Sequence, residues 1–217
     1  QNIEYENIFH KKIETGEINF GLELSQSNYT SDRVESGSQT ILTTSLFFQC
    51  DTYIMEKLNI VAGTRLDKYS EHTTVTSPRL GIMYLLTEQW KFRTTWGKGF
   101  RMPSFMERFI DWNHVQFGYK VIGNPDLKPE TSDGYTVGIE YNNYPNYQAS
   151  VMAYYNEFTN LIEDFSIQPG LLSYRNINKA KYRGIEIQNR WQISNTWNSS
   201  WGLNIIDNRD EKGNEIP

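Results

Sequence analysis

IGNPDLKPETSDGYTVGIEY, from Ile122 to Tyr141, holds two kinds of backbone in succession. In its second half Tyr135, Val137, Ile139 and Tyr141 alternate with Gly134, Thr136, Gly138 and Glu140. A strand here places large apolar side chains on one face and small or charged ones on the other. In the first half Pro125 and Pro129 lack a backbone donor and fix φ, so they stay outside a ladder and stiffen the entry to the strand. The one-sided alternation continues in both directions. Upstream it recurs at Trp90, Phe92, Thr94 and Trp96 against Lys91, Arg93, Thr95 and Gly97, and at Leu80, Ile82, Tyr84 and Leu86. It recurs again at Leu58, Ile60, Ala62, Thr64 and Leu66, and at Ile18, Phe20, Leu22 and Leu24 against Asn19, Gly21, Glu23 and Ser25. Downstream come Ile185, Ile187 and Trp191 against Glu186, Gln188 and Arg190, then Trp197, Trp201, Leu203 and Ile205. Weaker versions run from Asn2 to His10, Gln39 to Cys50 and Tyr147 to Tyr155. About ten strands follow.

The connections alternate in length. Short turns are expected near Glu14 to Gly16, Asp51 to Glu56, Thr87 to Gln89, Asn142 to Asn146 and Ser194 to Thr196. Long polar loops are expected at Ser25 to Gly37, Tyr69 to Ser77, Lys98 to Lys128 and Asn156 to Ser173, with another beginning after Asp207. Short turns at one end and long loops at the other characterise an antiparallel up-and-down transmembrane β-barrel of the outer membrane. Trp90, Tyr144, Tyr147, Trp191 and Trp197 gather near the short-turn end, where an interfacial aromatic girdle would lie. Periodicity alone leaves a soluble β-sandwich or meander open, because a protein core and a lipid tail demand the same apolar residues.

Composition removes several classes. The 217 residues carry a formal charge of −5 and 14% aromatics, with no basic stripe of the kind nucleic acid requires. Cys50 stands alone, so there is no internal disulfide, and no Cys/His cluster has zinc spacing. No stretch has the roughly 18 apolar residues of a membrane-spanning helix, a test to which a barrel is blind. Glu163 and Asp164 are adjacent and point to opposite sides of a strand, so no carboxylate pair is arranged for acid/base catalysis. No Ser/His/Asp arrangement or phosphate-cradling glycine loop appears. The chain is read as a non-enzyme with no cofactor and no metal site.

Two motifs decide between the remaining readings. Gly99, Phe100, Arg101, Pro103, Ser104 and Glu107 stand in WGKGFRMPSFME, and Gly123, Asn124, Pro125, Asp126, Leu127, Lys128, Pro129 and Glu130 follow in order. The pair resembles the TonB-dependent receptor family, with weaker likeness at RLDKY (65–69), SPRLG (77–81) and YRGIEI (182–187). Met102 and Arg108 depart from the family's usual Ala and Leu. The resemblance implies a closed barrel of about 22 strands, of which these residues supply under half. The expectation is a partial barrel domain over residues 1–217, with the plug domain and the C-terminal strands outside it. It also implies an outer-membrane transporter that binds a nutrient complex, whether iron-siderophore, haem or cobalamin, with lipid and, through the plug, the TonB system as partners. A plug-less porin-like or adhesive barrel is the rival within the membrane class.

Within the 98–128 loop, Phe105, Phe109, Trp112, His114, Phe117 and Tyr119 form a dense aromatic set, and exposed aromatic patches mark contact surfaces. Trp112, His114, Phe117 and Tyr119 are taken as the ligand-binding candidates. Haem-importing members of the family carry an iron-ligating His between these motifs, the interval His114 occupies, although packing within the loop is the commoner role of such a residue. His10 and His72 lie elsewhere. Arg101 and Glu130 are expected to pair across the loop ends as a solvated ion pair, worth about 0–1 kcal/mol. Glu23, Lys57, Arg65, Asp67, Arg79, Lys91, Arg93, Glu140, Glu186 and Arg190 share the polar face and read as a wetted lumen wall.

Overall fold

The computed structural model describes residues 2–34, 37–70, 74–211 and 213–215; His72 lies outside them. Among the described residues, 12 strands form one sheet. Ten are long: β1 Asn2–Ile13, β2 Gly16–Thr30, β3 Ser38–Met55, β4 Leu58–Tyr69, β5 Val75–Leu85, β6 Trp90–Arg101, β9 Glu130–Asn143, β10 Tyr147–Gln168, β11 Leu171–Gln192 and β12 Asn198–Asp210. Each pairs antiparallel with the next in a continuous meander. Two short strands, β7 Asp111–His114 and β8 Tyr119–Ile122, and a one-turn helix α1 (Phe105–Phe109) lie between β6 and β9. Among the described residues every strand belongs to this one sheet and no second sheet packs on it, so the sandwich alternative has no counterpart there.

The register gathers each strand's apolar set on the same face. Trp96 pairs with Tyr135 and Tyr135 with Tyr155; Phe92 pairs with Ile139, Ile139 with Val151, Val151 with Ile187 and Ile187 with Leu203. These side chains are not core. Val137 and Ile185 are each 45% exposed and Leu203 48%. In a water-soluble protein an apolar surface this extended would have to be covered; on a barrel it is the face that meets lipid. Trp90 lies 4.9 Å from Tyr141, and Tyr141 5.8 Å from Tyr147, giving an aromatic belt at the short-turn end. A second belt, Trp96, Tyr135 and Tyr155, runs across the same face nearer the long-loop end.

The opposite face is polar and self-paired. Arg65 donates to Glu23 and Asp67, both at 2.8 Å, and Arg93 pairs with Glu140 at 3.0 Å. Gly21 leaves room for Phe47, whose ring would sit 2.1 Å from any Cβ there. Pro78 lies within β5 opposite Thr64, but the β5–β6 pairing begins one residue later at Arg79, so its missing N–H costs no ladder bond on that side.

The strand ends depart from the sequence reading. Asn156 to Ser173 is not a loop: β10 and β11 continue through it and turn at Pro169 and Gly170, where Gly170 has φ +80°. Likewise β2 continues to Thr30 inside the expected 25–37 loop. The physical reason is that both faces of these extensions are wet, so the apolar-polar contrast fades while the backbone ladder continues.

Candidate functional site

The β6–β9 connection is a folded unit built on Arg101, Glu107, Glu130, Asn124 and Asn176. Arg101 closes β6, opposite Glu130, which opens β9. Its guanidinium makes two hydrogen bonds to Glu130, at 2.6 and 2.8 Å, and two to Glu107, at 3.0 and 3.1 Å. Both glutamates raise the Arg101 pKa, Glu130 more than Glu107. Glu130 is 6% exposed while Arg101 stays half in water, so only the arginine side of the pair is solvated as expected from sequence. Glu130 also accepts the Ile162 amide at 2.7 Å. The β9–β10 ladder ends at Thr131 and Thr159, and Asn160 next turns left-handed at φ 59°. The Glu130 carboxylate therefore takes a β10 amide that β9 no longer reaches.

Ser104 caps α1. Its hydroxyl accepts the Glu107 amide at 3.2 Å while the Glu107 carboxylate accepts the Ser104 amide at 2.6 Å, a reciprocal capping box. Partial burial pushes the Glu107 pKa up, but Arg101 and Ser104 outweigh it and hold the carboxyl below its ordinary value. Phe105, 5% exposed, stacks on Tyr29 of β2 at 5.1 Å and 8°, four strands away in the meander. Val34 and Ile110 form an isolated bridge beside it, and Asp111 donates its amide to the Arg33 carbonyl at 2.8 Å. The loop thus reaches from the β2–β3 connection towards β11.

The second motif docks the return. Gly123 is held with its amide 2.6 Å from the Ile110 carbonyl, and a Cβ there would meet the Arg108 backbone at 2.5 Å. Asn124 accepts the Asp126 amide at 3.0 Å and donates to the Tyr174 carbonyl at 3.0 Å. Asn176 accepts the Lys128 amide and donates to the carbonyls of Lys128 and Asn160. Leu127 is 2% exposed beneath them. Pro103, Pro125 and Pro129 all lie outside ladders. A Cβ at Gly99 would meet the Ser132 hydroxyl at 2.8 Å, and Phe100 meets Tyr69 edge-on at 6.0 Å.

The ligand-binding candidates converge. β7 and β8 form a hairpin with His114 opposite Tyr119, and β8 adds parallel to the tip of β11 at Leu171 and Leu172. His114 lies 4.4 Å from the Trp112 ring, 4.3 Å from Phe117 and 5.3 Å from Tyr119, with its Nδ1 3.2 Å from the Tyr119 hydroxyl. Arg33 covers the Trp112 ring at 4.5 Å. Phe117 is 70% exposed at the hairpin turn. The cluster is thus an amphipathic aromatic surface, with Arg33 and the Lys120–Asp111 pair at 2.7 Å beside it, suited to a flat or aromatic ligand. Arg33, Tyr29 and Asn176 carry no local motif and were not legible; the Ser104–Glu107 capping box was not read either, although its Ser-x-x-Glu spacing is a signal that could have found it.

A family model described as TonB dependent receptor-like, beta-barrel, matches residues 5–217. The chain belongs to the TonB-dependent receptor family. An iron-regulated outer membrane virulence protein of Vibrio cholerae is 30% identical over 67% of this chain and 23% of its own length. The vitamin B12 transporter BtuB of Vibrio vulnificus is 26% identical over 80% of the chain and 26% of its own. The siderophore receptor PirA of Pseudomonas aeruginosa superposes with a TM-score of 0.85 at 19% identity, covering 96% of this chain and 40% of that one. The chain thus spans about a quarter of the length of these curated relatives and forms part of a larger TonB-dependent barrel in the outer membrane.

Proposed function

We propose that the receptor containing this chain binds a scarce nutrient complex, an iron-siderophore, haem or cobalamin, at its outer surface and imports it. In this reading the barrel closes with strands beyond these residues around a plug domain, and the TonB system supplies the energy that shifts the plug. The observation that carries it is the family match over residues 5–217, joined to an aromatic hairpin that the two motifs hold at the long-loop end. Trp112, His114, Phe117 and Tyr119 make the first contact with the ligand. No residue pair is assigned to catalysis.

The test is a titration of the full-length receptor with a ferric siderophore, haem and cobalamin in parallel, followed by uptake in cells with and without TonB. The reading expects saturable binding of one class, TonB-dependent uptake, and about tenfold weaker binding for Trp112→Ala. Diffusive, TonB-independent passage of small solutes with no saturable ligand would instead establish the porin-like alternative. For haem, coordination by His114 requires a Soret shift that His114→Ala weakens; an unchanged titration leaves His114 as a packing residue.

A further inference from the structure

The polar face of β1 to β4 holds more carboxylates than cations. Glu6 faces Glu23 directly across the β1–β2 register, Glu23 faces Ser45, and Ser45 faces Asp67, so one row crosses four strands with an acidic side chain on three of them. Glu4 stands one row nearer the long-loop end on the same face of β1. Like charges set directly opposite each other in a sheet destabilise it. A single cation serves the row: Arg65 donates to Glu23 and to Asp67, each at 2.8 Å. Glu4 and Glu6 are exposed and have no hydrogen bond or ion pair among the described residues.

The buried end of the row is short of donors as well. Asp67 is 2% exposed, and its Oδ1 accepts from both Ser45, at 2.6 Å, and Arg65, while no donor among the described residues reaches Oδ2. The next cations on this face do not make up the difference. His10 and Arg79 lie two rows nearer the short turns, His10 turned to Asn19 and Glu17 and Arg79 to Gln49. Lys68 follows Asp67 in β4 and therefore points to the opposite face. Further round the polar face, by contrast, Arg93 and Glu140 form a one-to-one pair at 3.0 Å.

We infer that this row is the docking surface for a basic segment of the plug, an inference that rests on the reading above that a plug fills the barrel. Glu6 and Glu23 are the contacts, Glu6 exposed and Glu23 with 19% of its side chain open. Asp67 lies behind them and adds charge without contact. A Lys or Arg side chain placed between Glu6 and Glu23 turns a repulsive cross-strand pair into a bridged one. Arg65 holds Glu23 and Asp67 in position beforehand, so the segment meets an ordered wall.

The test is amide exchange across the full-length receptor, compared between the parent, Glu6→Gln/Glu23→Gln and Glu6→Asp. About tenfold faster exchange of one basic plug segment is expected in the double variant, with a smaller gap in about 1 M salt and near-parental exchange for Glu6→Asp. Equal plug exchange in parent and double variant overturns the proposal. Faster exchange confined to barrel strands sinks it too, by placing the missing cation on a neighbouring strand. So does loosening of the parent to the variant's level by a metal chelator, which would make the row a site for a free cation. An exchange map with no plug in it overturns the earlier reading along with this one.

Discussion

Glu130 accepts both Arg101 and the Ile162 amide while almost wholly buried, so its removal orphans a guanidinium and a backbone donor together. Glu130→Ala is expected to lower the stability of the loop by about 1–3 kcal/mol, because Arg101 remains half in water and recovers part of its solvation. Limited proteolysis of the full-length receptor between Phe105 and Pro129 reads this directly; cleavage at the parental rate would show that the loop does not depend on the carboxylate. Glu107 sets the response to acid. Its folded pKa lies below the ordinary 4.5, so its contribution is complete above that value and is lost as pH falls through the lower folded value. Loop cleavage by an acid-active protease should therefore rise as pH drops below 4.5, and Glu107→Gln should be more open at neutral pH with a flatter acid response. At this scale the sequence carries a signal where the partners are close: Ser104 and Glu107 stand at capping-box spacing, which the motif reading did not use. It was silent on Arg33, Tyr29 and Asn176, whose contacts come from strands remote in the chain.

Strand periodicity located every long strand but misplaced the ends of those that project beyond the membrane. The alternation of Tyr135 to Tyr141 exists because one face meets lipid and the other the lumen; past Glu157 both faces of β10 meet water, and selection for alternate apolar residues ends while the ladder goes on. The β10–β11 hairpin is also where backbone conformation matters most. Asn160 is left-handed, a state that costs a β-branched side chain about 1–2 kcal/mol. Asn160→Gly is therefore expected to preserve the hairpin, and Asn160→Val to release it, with faster amide exchange from Leu161 to Ile177 in the full-length receptor. Equal exchange in the two variants would show that the turn of β10 at this point is not what seats Glu130 and Asn176.

Over the whole molecule, the buried apolar side chains among the described residues, Val34, Phe105, Ile110, Leu127 and Ala180, are few, whereas Phe20, Val137, Ile185 and Trp201 are exposed along one face. That distribution is inverted relative to a soluble domain. The isolated chain, an open sheet with an apolar face, is accordingly expected to aggregate or to require detergent. In the full-length receptor Val137→Arg should lower folding stability in lipid vesicles by about 2–4 kcal/mol, as for a cation placed near the bilayer midplane. Fold class was legible because alternation, turn lengths and the two motifs agree; alternation alone left open what the apolar face touches, since core and lipid select the same residues, and only the motifs assigned it to lipid. The deciding measurement is a nitroxide scan from Gly134 to Tyr141 in the full-length receptor, with Cys50 replaced by Ser, in outer-membrane vesicles. Labels at positions 135, 137, 139 and 141 should collide with dissolved oxygen from the lipid, and those at 134, 136, 138 and 140 should not. Uniform accessibility to a water-soluble relaxant at all these positions, or the opposite phase, would contradict the membrane-barrel account.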